Sequence, residues 1–76
     1  MKADKTAYIN ITPAQIVSIL EDSGYYDCPL LSLDYQGETN SGWMIFATTY
    51  MNDADEIEGG KIYLCFHESG QVTAEF

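Results

Sequence analysis

The chain has 76 residues, 46% of them apolar, and twelve acidic residues against three lysines and no arginine, for a formal net charge of -9. This length provides for one hydrophobic core, so we expect a single domain over residues 1–76. A chain with no basic stripe lacks the side chains that neutralise phosphates, which argues against direct binding to nucleic acid or to an anionic membrane.

No apolar run approaches the roughly 18 residues of a membrane span, and the first five residues lack the apolar stretch of a signal peptide. The two cysteines, Cys28 and Cys65, show no metal-type spacing and are too few for a disulfide framework. We therefore expect a cytoplasmic protein with reduced thiols. A Cys28–Cys65 disulfide is the alternative for an exported chain.

The start of a helix is the clearest local pattern. Residues 6–11 are rich in β-branched and aromatic side chains, which predicts a short strand. Thr12 then fits an N-cap, Pro13 fits the first helical position, and Gln15 completes a capping box. Ile11 and Ile16 occupy the two positions of a hydrophobic staple.

The helix is predicted to end at Gly24, which can adopt the left-handed conformation of a C-terminal cap and bring Tyr25 against Leu20. Four strands are expected after it. They cover the alternating Leu31, Leu33 and Tyr35, the two-sided apolar residues 43–51, residues 61–67, and residues 71–76. Residues 37–42 and 52–60 are expected to form a turn and a polar loop.

These elements predict an α+β fold in the order β-α-β-β-β-β. A four- to five-stranded, mainly antiparallel meander carries one N-terminal helix on one face. Ile62, Leu64 and Phe66 are expected to face the core, and the opposite face of the sheet stays available.

Spaced carboxylates are the first candidate site. Asp53, Asp55, Glu56 and Glu58 lie in the polar loop, and Asp34 and Glu38 are expected to extend the same surface. Carboxylate oxygens accept paired hydrogen bonds from arginine as phosphates do, so this pattern favours a basic partner. A solubilising role is the alternative, but a soluble surface usually interleaves both signs of charge.

Exposed tyrosines are the second candidate. Tyr25, Tyr26 and Tyr63 fall at predicted loop or outward-facing positions, and tyrosine beside carboxylates is typical of interface hot spots. The alternative is that these rings cover the ends of a thin core.

Enzyme and metal sites have weaker support. Cys65 and His67 lie two apart on a predicted strand, but no third group is identifiable to orient them. With Cys28 they provide three ligands of a zinc site without the usual paired spacing. Counted from Asp53, a calcium loop fails because Ile57, Glu58 and Leu64 occupy its fifth, sixth and twelfth positions. We expect no catalysis, no metal and no cofactor.

In size, acidity and lack of an enzyme motif the chain is similar to the small inhibitors carried by phages and mobile elements, including anti-CRISPR proteins and DNA mimics. The similarity lies in composition and covers no aligned residues. It implies a protein-binding inhibitor that occupies the basic groove of a nucleic-acid-binding protein. The alternative is a structural or regulatory domain that forms a homodimer through an edge strand, such as residues 72–76 or 6–11.

Overall fold

The structure, a computed structural model, describes residues 5–26 and 29–76. Its elements are a 3₁₀ helix Lys5–Tyr8, helix α1 Pro13–Asp22, and strands β1 Leu30–Glu38, β2 Met44–Met51, β3 Ile57–Phe66 and β4 Val72–Glu75. The strands form one antiparallel sheet in the order β1-β2-β3-β4. Helix α1 packs on this sheet and contacts β1 and β4. The predicted α+β fold is confirmed.

The strand predicted over residues 6–11 is wrong. This segment is the 3₁₀ helix and a turn, held by local bonds from Ile9 N to Thr6 O and from Ile11 N to Tyr8 O. Its apolar side chains pack on the domain without joining the sheet, since the Tyr8 ring meets Phe66 edge-on at 5.3 Å and Ile11 packs against the core. Composition predicted a strand, but tertiary packing determined the local conformation.

The predicted start of α1 is confirmed. Thr12 Oγ1 accepts a hydrogen bond from Gln15 N at 3.2 Å, and Gln15 Oε1 accepts one from Thr12 N at 2.9 Å. Pro13 is the first helical residue. This capping box satisfies backbone donors that have no partner inside the helix.

The predicted end of α1 is also confirmed. Gly24 has φ +98°, Tyr25 N donates to Leu20 O at 2.9 Å, and Gly24 N donates to Glu21 O at 3.1 Å. These two bonds form a Schellman motif, for which glycine is favoured because it has no Cβ.

The core lies between α1 and one face of the sheet, here called the helix face. Ile62 and Leu64 are fully buried and Phe66 packs against them, which confirms the prediction for β3. The buried apolar residues of this core are Ile16, Leu20, Met44, Phe46, Ile62, Leu64 and Ala74.

Two strand details differ from the sequence prediction. A bulge between Leu30 and Ser32 turns Leu31 outward, 50% exposed, so the strict alternation predicted for β1 fails there. Strand β3 begins at Ile57, so the predicted loop over 52–60 is shorter than expected.

A Cβ added at Gly60 would lie 3.2 Å from the rings of both Tyr50 and Phe76, so these aromatic side chains cover the glycine.

The edge of β4 is hydrogen-bonded to the end of α1. Ala74 N donates to Ser23 Oγ at 3.0 Å, and the same hydroxyl donates to Ile19 O at 2.9 Å. A backbone donor on the outer side of β4 is therefore already used inside the domain.

The other side of the sheet is here called the open face, because no helix or strand in the described ranges packs on it. Strand alternation and register place the following side chains on it: Asp34, Ile45, Ala47, Lys61, Tyr63, Cys65, Thr73 and Glu75.

Neither helix of the described ranges has the length and apolar character needed to cross a membrane.

Candidate functional site: an acidic hairpin tip

The connection between β2 and β3 carries the densest group of carboxylates. We define the acidic tip as the side chains of Asp53, Asp55, Glu56 and Glu58. All four residues are exposed, and Glu58 lies on β3 opposite Tyr50 of β2. The hairpin therefore presents these acids together at one end of the sheet.

Asn52 orders the backbone that carries the acidic tip. Its Oδ1 accepts hydrogen bonds from Ala54 N and Glu56 N, both at 2.9 Å. Its backbone N donates to Glu56 O at 2.9 Å, and its O accepts from Asp55 N at 3.0 Å. Asp55 adopts φ +59°, a left-handed conformation that aspartate tolerates better than most residues. The tip is thus a hydrogen-bonded turn.

Glu58 is fixed by two side chains. Its carboxylate accepts a hydrogen bond from Tyr50 Oη at 2.8 Å and one from Asn52 Nδ2 at 3.1 Å. Both bonds stabilise the charged form, so they lower the pKa of Glu58, the Tyr50 bond more than the Asn52 bond. The same contact raises the pKa of the Tyr50 hydroxyl.

We expect Tyr50→Phe to raise the pKa of Glu58 toward its ordinary value, because it removes the stronger of the two bonds. Because folding lowers the pKa of Glu58, the ionised carboxylate stabilises the fold above its unfolded pKa. This stabilisation is lost as the pH falls through the lowered pKa. Carboxyl NMR titration of both proteins measures the change, with Tyr63→Phe as the matched control on the open face. An identical Glu58 titration in wild type and Tyr50→Phe would contradict the arrangement.

The remaining carboxylates of the acidic tip are not paired with any residue that the structure describes. Within the described ranges, the carboxylates of Asp53, Asp55 and Glu56 have no hydrogen-bond or ion-pair partner. Lys5 is engaged elsewhere, 3.3 Å from Glu38 Oε2 and 2.6 Å from Gly42 O. None of the described residues therefore competes with an outside cation for these three tip acids.

The other predicted carboxylates do not join the acidic tip. Glu38 projects on the helix side of the sheet at the far end of β1, where it pairs with Lys5. Asp34 is exposed on the open face. Its register partner on β2 is Ala47, which lies five residues before Asn52 in the chain. The expectation that both extend one surface with the loop acids does not match this placement.

The three predicted tyrosines also lie apart from the tip. Tyr25 is half-buried and packs against the core at the end of α1, as in the alternative interpretation of a ring that covers the core. Tyr26 beside it is 70% exposed. Tyr63 is half-buried on the open face, between Ile45 and Glu75.

Cys65 lacks the environment of an activated thiol. It is only 5% exposed, and this burial raises its pKa, with Glu75 adding to the effect and a bond to Thr73 opposing it. A catalytic cysteine needs a lowered pKa. His67 Nε2 lies 2.9 Å from Thr73 Oγ1. No cluster of metal-ligating side chains occurs in the described ranges, and Cys28, the third predicted ligand, lies outside them.

Sequence reasoning missed the residues that support the acidic tip. Asn52 begins an Asn-Asp-Ala-Asp run, a composition that favours a side-chain-capped turn and was available as a signal. The contact between Tyr50 and Glu58 depends on the β2–β3 register, in which these two residues are direct partners. The sequence pattern placed Glu58 in a loop, because it predicted that strand β3 begins at residue 61.

Comparison of the chain with protein-family models, with curated proteins and with solved structures gave no match. The case for a function therefore rests on the chain's own residues.

Proposed function

We propose that this chain is a non-enzymatic protein-binding module, a small acidic inhibitor that occupies a basic surface of a nucleic-acid-binding protein. The observation that carries the proposal is the large excess of negative charge. A net charge of -9 with no arginine is combined with an acidic tip in which three carboxylates have no partner among the described residues.

The order of the tip supports this proposal on energetic grounds. Binding costs free energy when flexible side chains and loops must be immobilised. Asn52 and Tyr50 already hold the turn and the Glu58 carboxylate before any partner arrives. An ordered turn that carries exposed carboxylates can accept charge-assisted bonds from arginine or lysine in a groove that otherwise takes phosphates.

Electrostatic association has a defined kinetic signature. Opposite charges on two proteins raise the association rate at low salt, and the gain is lost as ions screen the field. In this proposal the target is a complex with a basic groove, of the kind that anti-CRISPR proteins and DNA mimics block.

The homodimer alternative has less support from the edges named for it. Residues 6–11 form no strand, and the outward Ala74 N–H of β4 is bonded to Ser23. Two copies of a chain with charge -9 also repel each other. Sedimentation at several protein concentrations tests this alternative directly.

The inhibitor proposal is tested by capture from a bacterial lysate on the immobilised chain at low and high salt. We expect nucleic-acid-binding proteins to be retained at low salt and to be released by added double-stranded DNA, since both compete for the same cationic groove. Asp53→Asn/Glu56→Gln should weaken retention about tenfold or more, because it removes two carboxylates from the contact.

The control is Glu21→Gln/Asp22→Asn, which removes the same two charges at the end of α1. It should retain the same proteins almost as well as wild type. An equal loss of retention in both double variants would show that retention depends on net charge and not on the acidic tip. Retention that DNA does not displace would contradict the proposed function.

A further inference from the structure

Part of strand β3 has no neighbouring strand on its outer side. β3 has ten residues, but β4 pairs only with the last four, Tyr63–Phe66. Continuing this register places Phe76 beside Ile62. Residues 57–61 lie before that point, and no described strand pairs with their outer side. We define these five residues, which begin next to the acidic tip, as the exposed edge of β3.

Hydrogen bonds at the two ends of β3 show which backbone groups point outward. Just before the strand, Asn52 N donates to Glu56 O at 2.9 Å, so residue 56 faces β2. Just after it, His67 N donates to Gln71 O at 3.0 Å, so residue 67 faces β4. Residues of an antiparallel strand alternate between these two directions, and both ends of β3 give the same result. The residues of the exposed edge whose N–H and C=O point away from β2 are Ile57, Gly59 and Lys61.

These outward backbone groups are accessible and unpaired. Ile57, Gly59 and Lys61 are all exposed. Within residues 5–26 and 29–76, their outward N–H and C=O groups have no hydrogen-bond partner. A strand edge with unpaired donors and acceptors is a template for another strand.

The other edges of the sheet are less suitable for strand addition. On the outer side of β4, Ala74 N already donates to Ser23 Oγ. On β1 the register is shifted at two points, and such irregularities interrupt the regular pairing that an added strand needs. The β2–β3 register has no shift along the exposed edge, so its backbone is regular.

The side chains of the exposed edge indicate the chemistry of an added strand. Glu58 is exposed and belongs to the acidic tip, so it favours a basic residue opposite it. Ile57 is 65% exposed, and a β-branched residue opposite it would cover its apolar surface. Lys61 lies at the other end, on the open face, where it favours a polar or acidic residue. The basic residue of the added strand is therefore expected at the end nearest the acidic tip.

A second copy of this chain is a poor occupant of this edge. If two exposed edges paired about Glu58, two carboxylates would lie directly opposite each other, which is destabilising. If they paired about Gly59 or a later residue, the backbone of one copy would run into Phe76 of the other, which lies beside Ile62. Two chains with a net charge of -9 also repel each other.

We propose that the exposed edge of β3 binds an extended segment of the basic partner as an additional antiparallel strand, with hydrogen bonds to the backbone of Ile57, Gly59 and Lys61 and a basic residue opposite Glu58. This inference rests on the proposed function. In strand addition, main-chain hydrogen bonds give affinity and alternate side chains give specificity. The exposed edge thus provides the short-range contact, and the acidic tip provides long-range attraction.

The test uses the 76-residue chain and an acetylated, amidated Ser-Ala-Val-Arg-Val peptide. Paired antiparallel, its residues would lie opposite residues 61, 60, 59, 58 and 57 in that order. We expect saturable NMR shifts that are largest for the amides of Gly59 and Lys61, and slower hydrogen exchange of both amides. A peptide with glutamate in place of arginine should bind several-fold more weakly, because it places a like charge opposite Glu58.

Two N-methylated peptides test the hydrogen bonds directly. The central valine would lie opposite Gly59 and direct its N–H toward β3, whereas the arginine N–H would point to solvent. Methylation of the valine nitrogen should weaken binding about tenfold or more, because it removes a hydrogen bond and places a methyl group between the strands. Methylation of the arginine nitrogen should change binding less than about twofold.

Gly59 provides a matched pair of variants. Gly59→Pro removes an outward N–H without removing a hydrogen bond to β2, and it should weaken peptide binding about tenfold. Gly59→Ala keeps that N–H, and its added Cβ has no listed neighbour closer than 4.0 Å, so binding should stay within about twofold of wild type. Circular dichroism shows whether each variant is folded. If Gly59→Pro is unfolded, the methylated peptides decide the inference.

Four outcomes would overturn the inference. These are equal binding of the two methylated peptides, equal binding of the arginine and glutamate peptides, the absence of saturable shifts at residues 57–61, and wild-type affinity of a folded Gly59→Pro. The proposed function is judged separately by the DNA-competed capture, and it stands if capture succeeds. If capture fails while the peptides bind as expected, the exposed edge accepts a strand but the inhibitor proposal is wrong.

Discussion

Phe46→Ala is expected to lower the free energy of unfolding by about 3–5 kcal/mol, because it removes a large buried ring and leaves a cavity. Phe46 is 1% exposed in the middle of β2, and its ring lies 5.6 Å from that of Tyr35. A chain of 76 residues has a total stability of about 4–11 kcal/mol. This one change therefore removes a large part of the stability and can unfold the domain.

Urea denaturation followed by circular dichroism measures this loss. Ile57→Ala is the matched control, since Ile57 is an apolar strand residue that is 65% exposed, and we expect it to change stability by less than about 0.5 kcal/mol. A loss below about 1 kcal/mol for Phe46→Ala would show that the core is not organised around this ring.

Ser23→Ala is expected to lower the free energy of unfolding by about 1–3 kcal/mol, the usual cost of leaving a buried donor without a partner. Ala74 is 2% exposed and its N–H is bonded to Ser23 Oγ at 3.0 Å. The substitution adds no bulk, so the lost bond is the main effect. The edge of β4 should also become more available to another strand.

Two measurements separate this effect from a change in helix propensity. Denaturation gives the stability, with Ser18→Ala on the exposed side of α1 as control, which should be neutral or slightly stabilising. Hydrogen exchange gives the protection of the Ala74 amide, which should fall in Ser23→Ala alone. Unchanged protection of that amide would contradict the proposed role of Ser23.

The parts of the fold that depend on nearby residues were predictable from the sequence. The capping box at Thr12 and the Schellman end at Gly24 are each specified within a few residues, and both are confirmed. Strand β3 also matched, since Ile62, Leu64 and Phe66 alternate as a half-buried strand requires.

The parts that depend on distant contacts were not predictable. The Tyr8 segment has strand-like composition, but its ring packs on Phe66, 58 residues away in the chain. Leu31 fits the alternation of β1, but a bulge reverses its direction. Neither the packing of Tyr8 nor the bulge has a signal in the local pattern.

The candidate site also has a part that nearby residues determine and a part that distant contacts determine. The acids of the tip are adjacent in sequence, so their grouping was predictable. Asp34 and Glu38 lie on opposite sides of the sheet, because the irregularity between Tyr35 and Gly37 and the register with β2 determine their directions. The open face combines residues of all four strands, so its composition is visible only once the strand register is known.

The packing of α1 against β4 has a consequence for how this protein matures in the cell. Helix α1 precedes β4 in the chain, so one of its two sheet contacts, residues 72–75, is synthesised more than 45 residues after the helix. Until then its apolar stripe, with Ile16 and Leu20, lacks part of its cover. Completion of this core must therefore wait until β4 has been synthesised, and the apolar stripe of α1 stays partly uncovered in the nascent chain until then.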